Sequence, residues 1–242
     1  MSKNSLEIRN LSVKVGDNTI LDDISLSIEE GEHHILFGPN GSGKSSLLST
    51  IMGLPPYEII SGKIIYNGED IQTLGIDERA KKGIGMTFQR PPSLEGVTLK
   101  DLSSVLESET TYNIESSNLD LKNFEQRQIN MGFSGGEIKR WEVLKLFLQD
   151  PKVLLFDEPE SGVDLQHIAA VGKSIERLLD SPKNGIKRSA LIITHTGFIL
   201  DYIKADYAHM MIDGKIEFSG KPAKLLKRIK ENGYNVSKEL RK

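Results

Sequence analysis

Cysteine is absent from this chain. That excludes disulfides, a thiolate nucleophile and any iron–sulfur or zinc site built on thiolates of this polypeptide. Also missing is any run of about twenty apolar residues, so no membrane-spanning helix is expected. Met1 to Asn10 carry no apolar run of the signal-peptide kind, and the expectation is a soluble, cytoplasmic protein. Charge of one sign is lacking too: 31 basic against 34 acidic residues leave a formal charge of −3. Nothing global draws the chain to nucleic acid or an anionic bilayer, and neither is an expected partner. Internal repeats and low-complexity tracts are not seen. What remains is 242 residues, enough to bury the core of one large α/β domain with a modest insert.

Gly38-Pro39-Asn40-Gly41-Ser42-Gly43-Lys44-Ser45 has a glycine, four residues, then Gly-Lys-Ser. This is a phosphate-binding loop pattern: its glycines let successive backbone N–H groups turn around a polyphosphate, Lys44 reaches the β- and γ-phosphates, and the Ser45 hydroxyl coordinates Mg²⁺. Ile35-Leu36-Phe37 reads as a buried strand entering the loop, and Leu47, Leu48 and Ile51 mark one face of a helix leaving it. That helix aims its N-terminus at the phosphates, and Gly38 to Ser46 form the candidate ATP-binding segment.

Alternating residues 6–15 and 19–28 around Gly16-Asp17-Asn18 predict an antiparallel hairpin, and residues 61–66 with Asn67-Gly68 a second one. Residues 84–88 predict a strand stopping at Gln89. From 90 to 131 the character changes: Pro91-Pro92 breaks the chain, and two candidate helices, about 99–106 and 119–126, flank the polar stretch 107–118. This is expected to be an inserted helical subdomain with a mobile surface segment, within a core of 1–89 and 132–242. A helix over about 136–149, a buried strand over 153–156, a helix over about 165–179, a buried strand over 190–193, a hairpin at Asp213-Gly214 and a basic helix ending near Asn232 complete an α/β chain with a mostly parallel sheet and an antiparallel edge layer.

Phe37, Phe88, Phe156 and Ile193 each end an apolar run, and polar residues follow at once. Ligands of a mostly parallel sheet bind beyond the carboxyl ends of its strands, so the loop, Gln89, Asp157-Glu158 and His195 should converge on one crevice. Asp157 then holds Mg²⁺ opposite Ser45, and Glu158 is free to orient and deprotonate a water. His195 could contact the γ-phosphate or the water, and Gln89 could complete the shell around both metal and water. The bland alternatives are a strand cap at Asp157-Glu158 and polar residues at strand ends for the other two. Ser134-Gly135-Gly136-Glu137 is a capping box opening an amphipathic helix, with two glycines where a helix disfavours them. Close approach of an anion is one reason for such glycines, and since the chain already has a phosphate loop, this second site points to a second subunit. His33, His34, His167 and His209 read as ordinary packing or solvation, and the basic helix over 222–230 as a packed terminal helix with a solvated face.

The order of phosphate loop, Gln89, Phe133-Ser134-Gly135-Gly136-Glu137, Asp157-Glu158, Ser161-Gly162-Val163-Asp164 and Thr194-His195 resembles the nucleotide-binding cassette of the ABC ATPase superfamily over nearly the whole chain. The resemblance implies the ABC ATPase fold and Mg·ATP as substrate. It also implies two copies closing head to tail around two ATP molecules, with Ser134 to Glu137 facing the partner's ATP and Asp164 touching the partner. Glu137 replaces the commoner glutamine, and Val15 stands where many cassettes place an aromatic ring. Within the superfamily, Tyr57 to Ile64, Asn130 to Glu137 and Glu160 to Asp164 are similar to the iron–sulfur cluster assembly ATPases of the SufC family. That likeness implies a soluble ATPase working on a SufB/SufD-like scaffold that carries the cluster and its cysteine ligands. The other reading is the motor subunit of an ABC membrane transporter.

Overall fold

The computed structural model describes residues 4–89, 91–106 and 109–234; Arg90, Glu107 and Ser108 of the expected insert lie outside them. The N-terminal alternation forms an antiparallel pair, β1 (Asn4–Val15) and β2 (Asn18–Glu29). β3 (His33–Phe37) then runs through the phosphate loop into α1 (Lys44–Met52). β4 (Glu58–Tyr66) and β5 (Glu69–Asp70) turn at Asn67 and Gly68, both at positive φ, the conformation that an Asn-Gly hairpin turn demands. α2 (Ile76–Lys82), too short and charged to stand out in the sequence, precedes β6 (Ile84–Thr87). Its Arg79 is buried and donates to the carbonyls of Thr50 and Ile51 in the last turn of α1, adding to the Gly53 N–H that caps Thr50.

The segment after Gln89 departs from expectation twice. β7 (Leu94–Thr98) leads into α3 (Leu99–Val105) through a Thr98–Asp101 capping box, as the apolar spacing predicts. The polar stretch expected to be a mobile surface segment is instead helical over α4 (Glu109–Asn118), and Tyr112, Glu115 and Ser116 are buried. Its threonines and asparagines favour helix weakly, so tertiary contacts decide: Glu115 pairs with Arg177 of the core. The helix expected over 119–126 shrinks to one 3₁₀ turn, Lys122–Phe124. Asp120, at φ 52, takes the chain out of the helical conformation while Leu119 and Leu121 on either side stay buried. β8 (Gln128–Ile129) pairs with β7 and closes the segment.

The rest alternates. α5 (Gly135–Gln149), β9 (Val153–Asp157), α6 (Leu165–Asp180) and β10 (Ser189–Ile193) are followed by the hairpin β11 (Tyr207–Ile212) and β12 (Lys215–Gly220), then α7 (Pro222–Asn232). The main sheet runs β12-β11-β3-β10-β9-β6, parallel except for β12, and a second sheet runs β2-β1-β4-β5. Period-two alternation splits the core. Leu154, Phe156, Ile192 and Met210 pack with Trp141 of α5 and Val171 and Ile175 of α6, whereas Val153, Leu155, Leu191 and Ile193 pack with α1 and the antiparallel sheet. Leu99, Tyr112, Leu119 and Ile129 join the first of these layers, so the insert shares the main core. Among the described residues, no helix is long and apolar enough to cross a membrane.

His34 and His209, far apart in sequence, meet across β3 and β11. His34 Nε2 lies 3.1 Å from Glu32, its Nδ1 lies 2.9 Å from His209 Nε2, and His209 Nδ1 lies 2.8 Å from the Ser219 hydroxyl. With both rings neutral, as burial favours, and Glu32 accepting at one end, the Ser219 hydroxyl donates at the other. Burial lowers both pKa values, that of His209 to about 3. A folded-state pKa below the unfolded one means full stability above the unfolded value of about 6.5 and loss as pH falls toward about 3. Urea denaturation should therefore show stability dropping by about 1 kcal/mol per pH unit between pH ~6 and ~4, and His209→Gln should flatten that slope. Equal slopes in variant and wild type would refute it.

Candidate active site

β3, β10, β9 and β6 lie side by side and parallel, so Phe37, Ile193, Asp157 and Thr87 end at one edge of the sheet. The chain leaves β3 through a loop held from behind. A Cβ on Gly38 would sit 2.2 Å from the Met211 carbonyl oxygen, so only glycine fits there, and the Ser42 carbonyl accepts from Gly214 N–H at 3.0 Å. Lys44, the first residue of α1, is buried, and its ammonium donates to the carbonyls of Gly38 (2.9 Å) and Pro39 (2.8 Å). Burial lowers the Lys44 pKa, and the nearby charges of Glu158 and Asp157 oppose that shift.

A cleft of about 820 Å³ is lined by Asn40, Gly41, Ser42, Gly43, Lys44, Ser45 and Ser46, with Ile20, Gln89, Glu158, Ser161 and His195. Gln89, Glu158 and His195 thus reach the loop from three other strand ends. Ser45 Oγ donates to Asp157 Oδ1 at 3.0 Å, and burial raises the Asp157 pKa while this hydrogen bond opposes the rise. Two hard oxygens at one spot suit Mg²⁺, but a six-coordinate ion needs more, which phosphate oxygens and water can supply. Glu158 takes φ 49, uncommon for a residue with a side chain, and its N–H donates to the Ile193 carbonyl at 3.2 Å. One of its carboxylate oxygens accepts from Gln89 Nε2 at 2.7 Å, and the other pairs with His195 Nε2. Gln89 thus faces Glu158 through its amide nitrogen, which leaves its oxygen for other contacts. Val15 does not line the cleft; Ile20 of β2 does.

Ser134 to Glu137 do not line this cleft. Their capping box is formed: Ser134 N–H donates to Glu137 at 2.9 Å, and Glu137 N–H donates to Ser134 Oγ at 3.3 Å. The two glycines differ. A Cβ on Gly135 would meet the Gly162 carbonyl oxygen at 2.5 Å, a requirement arising within the chain, whereas one on Gly136 would find ordinary contacts. Asp164 accepts from His167 N–H at 3.0 Å and also meets its ring, so it caps α6 and gives His167 a partner.

Several residues at the site escape sequence reasoning. Thr87 Oγ1 accepts from Asp157 N–H at 3.2 Å. Glu142 accepts from Phe88 N–H at 2.8 Å, and buried Lys139 donates to the carbonyls of Phe88 and Gln89, each at 3.3 Å. Glu160 accepts from Thr194 and Thr196. The one available signal is charge on a helix that packs all round, at Lys139 and Glu142; nothing local marks Thr87 or Glu160.

A phosphate loop at the end of one strand, facing an adjacent acid pair and a histidine from neighbouring strands, is the chemistry of a nucleoside triphosphatase. The sequence profile of the ABC transporter family matches residues 21–161. This chain belongs to the ABC ATPase family. The probable ATP-dependent transporter ycf16 of Pyropia yezoensis is 37% identical over 252 residues, covering 97% of this chain and 98% of that protein. The probable ATP-dependent transporter SufC of Escherichia coli (strain K12) is 36% identical over 247 residues, covering 95% and 97%. A crystal structure of a nucleotide-free ATP-binding cassette from an ABC transporter matches with a TM-score of 0.76 at 24% identity, over 98% of this chain and all of that one, which shows the fold. As an ABC ATPase this chain is an ATP-hydrolysing enzyme, and the likeness to the SufC protein runs over 95% of it.

Proposed function

We propose that two copies of this chain close head to tail around two Mg·ATP and hydrolyse them, and that closure drives a shape change in a soluble, cytoplasmic iron–sulfur assembly scaffold of the SufB/SufD kind. The observation that carries the scaffold reading is the chain-long likeness to SufC, and the lack of cysteine agrees with thiolate ligands that lie on a partner. In each site the loop N–H groups and Lys44 hold the β- and γ-phosphates, and Ser45 with Asp157 holds the Mg²⁺ of the substrate. Glu158 orients a water and takes its proton as the oxygen attacks the γ-phosphorus and ADP leaves. His195, paired with Glu158, stands by the γ-phosphate, and Gln89 completes the shell. Ser134 to Glu137 serve the partner's nucleotide and Asp164 its surface; none of them lines the cleft of its own chain.

The transmitting unit is the inserted subdomain 90–131. Gln89 at its entrance touches Glu158, and the Ser134 capping box lies just past its exit. Closure should turn this unit and pull on what it holds. Purified alone, the chain should be mostly monomeric with slow ATPase; the copurifying scaffold should raise the rate, and Lys100→Glu with Lys122→Glu, both at exposed positions, should abolish that rise without reducing nucleotide binding. ATPase assays and pull-downs with and without the scaffold measure this. Both relatives are named as probable ATP-dependent transporters, which favours a second reading, a transporter motor, and activation by a membrane permease instead of a scaffold would establish it.

A further inference from the structure

Glu160 lies two residues beyond Glu158 and is 5% exposed. One of its carboxyl oxygens, Oε1, takes the hydroxyl protons of both Thr194 and Thr196, the residues on either side of His195. Each hydroxyl also accepts a backbone N–H from further along the turn, Gly197 to Thr194 at 2.9 Å and Phe198 to Thr196 at 3.2 Å. With those lone pairs engaged, both hydroxyl protons are committed to Glu160, and the turn carrying His195 is tied from both sides to the strand exit carrying Glu158. The second carboxyl oxygen, Oε2, is buried with no hydrogen-bond partner. Leaving such an atom unpaired is unfavourable, so the acid ties the two threonines through one oxygen at the expense of burying the other.

We propose that Glu160 is a positioning residue for ATP hydrolysis: through Thr194 and Thr196 it holds His195 in the orientation that pairs with Glu158. The carboxyl touches neither substrate nor reacting atoms, and Glu160 is not in the lining of the phosphate cleft. Burial, its main influence, and the charge of Glu158 raise the Glu160 pKa, while the hydroxyls of Thr194 and Thr196 oppose the rise. What the two threonines need is an acceptor oxygen at this point, which a carboxylate, a carboxylic acid or an amide all supply.

This inference rests on the reading of His195 and Glu158 as catalytic, and the test separates the two. Steady-state ATPase is measured for wild type, Glu160→Ala, Glu160→Gln, His195→Ala and the double variant Glu160→Ala/His195→Ala, with nucleotide affinity and thermal unfolding followed in parallel. Glu160→Ala should lower kcat by about ten- to a hundredfold, the penalty of a misplaced catalytic group. KM and Mg·ATP affinity should stay within about twofold, since the phosphate loop is untouched. Glu160→Gln should recover most of the loss. On the His195→Ala background, Glu160→Ala should add nothing, because the residue it positions is gone. Thr196→Val removes one exposed hydroxyl and should show a smaller loss of kcat with KM unchanged, a readout that stands if Glu160→Ala folds poorly. Wild-type kcat in Glu160→Ala, a glutamine variant as slow as the alanine one, or additive losses in the double variant would each overturn the proposal. If His195→Ala itself turns over at the wild-type rate, the reading of the site fails first.

Discussion

Glu158→Gln is expected to reduce ATP turnover by about a hundred- to a thousandfold while leaving Mg·ATP binding nearly intact, the range typical of losing a general base. The geometry explains both halves. The Glu158 carboxylate has two jobs at once, one oxygen accepting from Gln89 at 2.7 Å and the other meeting His195, and the left-handed backbone at φ 49 turns it into the cleft. Glutamine matches the size but turns one acceptor into a donor, so the contacts with the Gln89 amide and the His195 ring must rearrange, and it cannot take a proton from water. The groups proposed to bind nucleotide, Lys44 in its loop and Ser45 with Asp157, are untouched. Uncleaved ATP should therefore accumulate between two copies, and light scattering should detect an ATP-dependent dimer. Asp157→Asn should do the reverse and weaken Mg·ATP binding itself, because it alters the oxygen facing Ser45. A Glu158→Gln enzyme running at wild-type speed would assign the base to another residue.

How far the chain could be read without coordinates depended on whether a feature was local. The buried runs of β3, β6, β9 and β10 announce themselves by apolar residues ending in polar ones, and their common polarity is enough to gather Lys44, Gln89, Glu158 and His195 into one cleft. The insert is where local signals mislead. α4 is a poor helix by composition and exists because Tyr112 and Ser116 are buried in the core and Glu115 meets Arg177. The apolar spacing over 119–126 imitates a helix, yet Leu119 and Leu121 are buried from a chain that Asp120 has already turned aside. Gly135 shows a different limit: room for an anion is one reason for a glycine pair, and the Gly162 carbonyl is a second reason for one of the two, which only the fold displays. His34 with His209 and Glu160 with Thr194 are partnerships between distant segments, which no pattern in one sequence can reveal.

Lys44→Ala should weaken nucleotide binding and turnover together, and the reason is where the structure puts the ammonium. Lys44 is 5% exposed, yet two of its three N–H donors already bond the carbonyls of Gly38 and Pro39 at 2.9 and 2.8 Å, so the loop is drawn in around the charge. The third donor remains for phosphate. Burial lowers the pKa of this lysine; Glu158 and Asp157 oppose that, and an incoming polyphosphate would oppose it further. Alanine removes the cation that offsets phosphate charge in both the bound and the transition state, so affinity and rate should fall together. A hydrogen bond to a charged group contributes about 1.5–3 kcal/mol, which puts the expected loss of affinity at about ten- to a hundredfold or more. Arginine should not restore function, since a planar guanidinium cannot donate to both loop carbonyls and still point one compact charge at the phosphates. Isothermal titration with Mg·ATP, alongside phosphate release, measures the two quantities, and thermal unfolding checks that the variant is folded. If a folded Lys44→Ala enzyme binds Mg·ATP within about twofold of wild type and hydrolyses it at a similar rate, the loop is not the phosphate site.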